Sequence, residues 1–260
     1  MRGRTPLPLA ILAALGAAFV VLPLVALVIR APWGDLGSAL SGAGASTALR
    51  LSVEVSLAAT ALSLILGVPL AWVLARSSIP GRAVLRAVVI VPIVLPPVVG
   101  GIGLLAALGR GGVVGRWLYE AFGLQLTFTM WGAVAATTFV SMPLVVLATE
   151  AGLRSIDPRY ERAAAAMGAR PGYTIRRVVL PMLAPQLAAG TVLAWARALG
   201  EFGATITFAG NLEGRTQTLP LAVYQARLTD PGGAILLSLL LVALSIAVLV
   251  GMRDRITQAR

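Results

Sequence analysis

The sequence predicts an all-α protein, a polytopic membrane protein with six transmembrane helices. Three observations carry that fold class. Of 260 residues, 58% are hydrophobic and 12% charged, with a mean hydropathy of +0.90, which lies outside the range of soluble globular domains. A window of about 20 residues, the length that crosses a bilayer core of roughly 30 Å, finds apolar runs at approximately 7–29, 51–75, 84–108, 130–149, 182–208 and 233–252. The chain has no Lys, so its 21 basic residues are all Arg, and their placement reports topology. With the N-terminus inside, Arg2, Arg4, Arg76, Arg82, Arg86, Arg154, Arg159, Arg162, Arg170, Arg176, Arg177, Arg253, Arg255 and Arg260 flank the spans on the cytoplasmic side. Only Arg30, Arg50, Arg110, Arg116, Arg215 and Arg227 fall on the other side. The positive-inside rule then predicts cytoplasmic termini.

Composition also excludes several kinds of chemistry. The net charge of +11 does not point to nucleic acid, because these arginines punctuate apolar runs rather than a polar surface with stacking aromatics. Cys and His are both absent, which removes disulfides, thiol nucleophiles and the commonest metal ligand. No metal site is expected.

The first run is expected to remain as a helix, since it is longer than a signal h-region and no small-residue cleavage site precedes "RAPWGD". Residues 1–46 thus form an N-terminal helix and external loop. Glu54, near the start of the second run, and Glu150, at the end of the fourth, sit where an acid can snorkel or cap. The third run contains "VPIVLPPVVGGIGLL", residues 91–105, where Pro92, Pro96 and Pro97 free backbone groups that need partners in protein or water. Two readings stand: a kinked helix packed by small residues, or a helix lining a pathway. The following "GRGGVVGR", residues 109–116, is read as a flexible external loop. It is not a nucleotide site, because a P-loop requires a Lys that this chain lacks.

The longest cytoplasmic loop, 154–181, opens with Asp157-Pro158, an N-cap acid and a Pro at the first helical position. "RYERAAAAM" then has high helix propensity, and Gly168 stands where a left-handed C′ residue would end a helix of about ten residues. Four consecutive Ala give that helix a smooth face for a partner; the plain alternative is a solvated loop.

The fifth run carries "VLAWARALGEFGATITFAG", residues 192–210, with Arg197 and Glu201 inside it. Four residues apart, the two lie on one helical face and can neutralise each other, with Gly200 and Gly203 beside them to admit another backbone. A charge at the bilayer centre costs about 2.5–3.5 kcal/mol even on insertion scales, so that face is expected to look into protein or a water-filled cavity. Structural pairing and contact with a translocating anion both remain open. Thr205, Thr207, Thr216 and Thr218 supply hydroxyls toward the outer mouth, or simply suit the interface. The sixth run leads to a cytoplasmic tail, 251–260.

The pattern Glu161-x-Ala163-Ala164, three residues, Gly168, nine residues, Val178-x-Leu180-Pro181 resembles the EAA loop of binding-protein-dependent ABC importer permeases of the type I fold. It departs from that loop at Arg162, which fills the usual Glu position, and at Val178, which replaces Ile. The resemblance runs over about 47–250, the permease transmembrane domain. It implies that Glu161, Ala163, Ala164 and Gly168 couple the chain to a separate ATPase. "ARALGEFGATITFAGN" and "TQTLP" are similar to the molybdate/tungstate branch of that family, and sulfate permeases share a looser version. The resemblance further implies a second copy of the chain, two cytoplasmic ABC ATPase subunits that hold the ATP, and an extracytoplasmic oxyanion-binding protein. Arg197, Glu201, Thr205 and Thr207 would then lie on the translocation pathway. No cofactor is expected in this chain, and it is expected not to be an enzyme. The alternatives are a sulfate/thiosulfate permease and an ion-coupled secondary transporter that switches through Arg197 and Glu201.

Overall fold

A computed structural model describes residues 6–37 and 43–257. Arg2, Arg4 and Arg260, used above for topology, lie outside these residues, as do the side chains of Arg253 and Arg255. Among the described residues every regular element is helical.

Helix α1 spans Leu7–Arg30 and buries none of its residues. Helix α2, Ala43–Arg76, has 34 residues, about 51 Å at 1.5 Å per residue, and so overshoots the expected run at its N-terminal end. The third run is two helices, α3 (Arg82–Val94) and α4 (Pro97–Leu108). Leu95 and Pro96 between them are extended, with ψ of 138° and 129°. The cause is local: consecutive prolines remove two donors and bias the preceding residue out of the helical region.

The 109–114 segment is closely wound rather than a flexible loop. Val113 and Val114 donate from their backbone nitrogens to the carbonyls of Ala106 and Ala107 at 3.0 and 2.8 Å. A Cβ at Gly115 would fall 2.0 Å from the Gly109 oxygen, so the glycines allow the chain to double back on itself. Short helix α5, Gly115–Phe122, follows.

Helix α6, Met130–Ser155, is the centre of the bundle, with two thirds of its most apolar stretch buried (67%, against 33% for α2). Thr129 caps it by accepting from the Gly132 nitrogen at 3.1 Å. Val55 and Ala59 of α2 pack on Ala133 and Val134 toward the N-terminal end of α6, and Ala71 and Leu74 pack with Val146 toward its C-terminal end.

The 154–181 loop holds α7, Arg159–Ala166. Beyond it, α8 (Pro171–Thr174), a five-residue π-helical turn (Ile175–Val179) and α9 (Leu180–Leu199) form one rod. The expected fifth span, 182–208, does not run through as a single helix. It stops at Gly200 and restarts as the short α10, Gly203–Phe208. Beyond it come α11 (Leu219–Thr229) and α12 (Pro231–Thr257). Among the described residues five helices are long and apolar enough to cross a membrane, and the expected third span is the broken pair α3 and α4, of which α4 is a shorter apolar helix.

Candidate translocation and coupling sites

Arg197 lies in the last turn of α9, and Glu201 immediately follows the break at Gly200. Nη1 of Arg197 stands 2.6 Å from Oε2 of Glu201, with side chains 35% and 1% exposed. The expected pair is therefore present, although not within one continuous helix. The other carboxylate oxygen, Oε1, accepts from the Ala204 nitrogen at 2.8 Å, satisfying one of the free donors at the start of α10. Glu201 thus belongs to both elements.

Helix α10 is seated against α4 by small residues. A Cβ on Gly203 would lie 2.9 Å from Cβ of Pro97, and one on Gly101 would lie 2.6 Å from Cβ of Thr207. Gly200 does not share this role: its absent Cβ faces only the chain's own Ala196 carbonyl at 3.9 Å, and the residue is exposed.

The threonines are turned inward. Thr205 is 1% exposed and faces Thr137 across 3.5 Å between hydroxyls. The Thr207 hydroxyl donates to the Gly203 carbonyl at 2.8 Å. Thr216, fully buried, accepts from the Leu212 nitrogen at 3.0 Å, and Thr218 is also buried. None of the four presents a free hydroxyl to an outer mouth in this arrangement.

In the 154–181 loop, Asp157 accepts from the Arg159 nitrogen at 2.8 Å and so starts α7. Its end is a Schellman turn: Ala169 N–H donates to Ala164 O (3.0 Å) and Gly168 N–H to Ala165 O (2.9 Å), with Gly168 at φ 81°. The Ala face divides. Ala163, Ala165 and Ala166 are exposed, whereas Ala164 is 4% exposed and points into the chain. Glu161 turns inward as well, with Oε1 2.8 Å from Nη2 of Arg76 at the end of α2. Met167 (83% exposed), Tyr160 and Tyr173 leave an apolar, aromatic-edged surface beside Ala163 and Gly168.

Two features were not anticipated. Glu150 does not snorkel: its carboxylate is 1% exposed and takes Arg86 at 2.7 Å and Arg154 at 2.9 Å, locking α3 to α6. Ser52, Ser56, Thr60 and Ser63 form a buried stripe along α2. Ser52 accepts from the Leu219 nitrogen at 2.6 Å, Ser56 from the Trp195 indole at 3.0 Å, and Ser63 meets Ser141 at 3.1 Å. The helical spacing of that stripe is readable in the sequence; its partners are not.

A bundle of apolar spans with one broken helix, a buried ion pair at a helix break and an exposed Ala-rich short helix defines a multi-pass membrane protein. The profile described as binding-protein-dependent transport system inner membrane component matches residues 63–259, and the chain belongs to that family. It is 50% identical over 242 residues to the molybdenum transport system permease protein ModB of Mycobacterium tuberculosis (strain ATCC 25618 / H37Rv), covering 92% of this chain and 90% of that one. It is 45% identical over 186 residues to ModB of Escherichia coli (strain K12), covering 72% and 81%. Its fold is that of a type I ABC importer permease: a crystal structure of a bacterial ABC transporter involved in the import of alginate superposes with TM-score 0.72 at 17% identity, covering 97% of this chain and 95% of the other.

Proposed function

We propose that this chain is the permease subunit of an ATP-driven importer of molybdate, with tungstate as its isostere. The observation that carries the substrate is the half-identity to a molybdenum permease along nine tenths of both chains. Arg197 suits that cargo, because a tetrahedral dianion is held well by guanidinium donors without a rigid cage.

In this reading two copies of the chain enclose the pathway. Leu193, Arg197 and Gly200 share one face of α9; Leu193 is 54% exposed and Gly200 is exposed too. A face bearing a charge is costly against lipid, and a second copy across a water-filled passage relieves that cost. Helix α1, apolar along its length and unburied, is left for lipid or that second copy. Glu201, Thr205 and Thr207 serve the pathway by shaping the turn behind Arg197. On the cytoplasmic side, a separate ABC ATPase dimer docks on Ala163, Met167 and the Gly168 turn, while Glu161 and Ala164 anchor α7 to the chain. An extracytoplasmic binding protein delivers the anion. The arginine distribution favours cytoplasmic termini, and the relatives favour the inner membrane of a bacterial cell.

The test is uptake of labelled molybdate into vesicles carrying the permease, its ATPase and its binding protein. Uptake is expected to need ATP and to resist equimolar sulfate. Suppression by equimolar sulfate moves the assignment to a sulfate permease. Uptake by this chain alone, without ATPase, moves it to a secondary transporter.

A further inference from the structure

Resting on the reading of the chain as an oxyanion permease, we infer that Glu201 is the positioning residue of the pathway: one carboxylate oxygen orients α10 and the other keeps Arg197 partly neutralised, so that a passing dianion must share the guanidinium with it.

The two oxygens have different tasks. Oε1 accepts from the Ala204 nitrogen at 2.8 Å and Oε2 stands 2.6 Å from Nη1 of Arg197. The acid is buried and the arginine is a third exposed, so solute reaches the cation and not the anion. Oε2 makes no aligned hydrogen bond, so charge rather than a forked geometry holds the pair. Among the described residues Glu201 is the one carboxylate paired with Arg197.

An arginine without a counter-charge would grip a dianion through paired charge-assisted hydrogen bonds and release it slowly. Conduction needs a site strong enough to enter and weak enough to leave. Glu201 supplies the weakening. Because the same carboxylate caps α10, and α10 rests on α4 through Gly101 and Gly203, a shift of the pair is passed to the broken third span.

Glu201→Gln separates the two tasks, since an amide oxygen still accepts from Ala204 while the charge is gone. In the permease–ATPase complex without binding protein, Glu201→Gln is expected to retain labelled molybdate about tenfold more tightly, because a neighbouring negative charge has been removed. With binding protein added, its maximal uptake rate is expected to fall by a similar factor. Arg197→Gln combined with Glu201→Gln should assemble and lose the added retention. If Glu201→Gln fails to assemble while the double variant assembles, the pairing is supported through the stranded cation. Unchanged retention in an assembled Glu201→Gln complex overturns the inference, and so does failure of both variants to assemble. Wild-type uptake serves as the separate check: its absence sinks the oxyanion reading, whereas its presence with an indifferent Glu201→Gln sinks only this inference.

Discussion

Nη2 of Arg76, the last residue of α2, lies 2.8 Å from Oε1 of Glu161 in α7 and donates to the Ile156 carbonyl at 3.1 Å. One guanidinium therefore ties the end of α2 both to α7, through Glu161, and to the end of α6, through Ile156. If α7 receives the ATPase stroke, Arg76 hands it to α2. Arg76→Ala or Glu161→Ala is expected to cut ATP-dependent uptake several-fold while leaving membrane insertion intact. Exchange of the charges, Arg76→Glu with Glu161→Arg, should restore part of the rate. No recovery in the exchanged variant, measured as uptake per ATP hydrolysed, would show that Glu161 works through another partner.

Gly168 sits at φ 81° with open space where its Cβ would be, so its constraint is conformational rather than steric. A leucine there costs about 1–2 kcal/mol of backbone strain and places a bulky chain beside the exposed face of α7. Gly168→Leu is expected to abolish coupling with insertion intact. Ala163→Arg, on the exposed face, should prevent copurification with the ATPase. Ala164→Arg should instead damage the chain itself, because Ala164 is buried. Normal copurification and uptake by Gly168→Leu and Ala163→Arg would remove α7 from the docking surface.

The Arg197 and Glu201 pair predicts an ordering of variants. Arg197→Ala strands a carboxylate that is 1% exposed, at a cost of about 3 kcal/mol, the low end for breaking a buried pair because the arginine is partly solvated. Removing both charges avoids that stranded acid, although the α10 cap is lost as well. Assembly, followed by size-exclusion profile and thermal stability in detergent, should therefore be worse for Arg197→Ala than for the double alanine variant. Equal defects would speak against the pair.

The seat of α10 on α4 can be tested by adding single methyl groups. Gly101→Ala puts a Cβ 2.6 Å from Thr207 Cβ and 3.0 Å from the Ala204 carbonyl, whereas Gly103→Ala meets nothing within 4 Å. Overpacking of this kind costs about 1–3 kcal/mol. Gly101→Ala is expected to slow uptake and lower the melting temperature, and Gly103→Ala to change neither. Similar behaviour of the two would mean that the contact yields without consequence.

Several parts of this protein follow from local sequence. The apolar runs specify spans because burial in a bilayer is a sum over consecutive residues. Asp157 and Gly168 bound α7 because cap chemistry acts within a few residues, and the structure has both ends where that chemistry put them. The pairing of Arg197 with Glu201 was also legible, since four residues along a chain set their separation.

What only the tertiary structure decided is where helices stop and which groups meet across them. Hydropathy counts 182–208 as one run because an average over about 20 residues does not register a break of a few. At the break Glu201 keeps Arg197 on one side and caps the free nitrogen of Ala204 on the other. Glu150 looked like a residue free to reach water, yet it is enclosed because Arg86, 64 positions away, is brought beside it by the docking of α3 on α6. Ala164 and Ala163 are chemically identical neighbours; one is buried and one exposed solely because of how α7 lies on the rest of the chain. Local propensity acts through the backbone of a few residues, whereas the partner of a charge or a small side chain depends on the packing of helices distant in sequence.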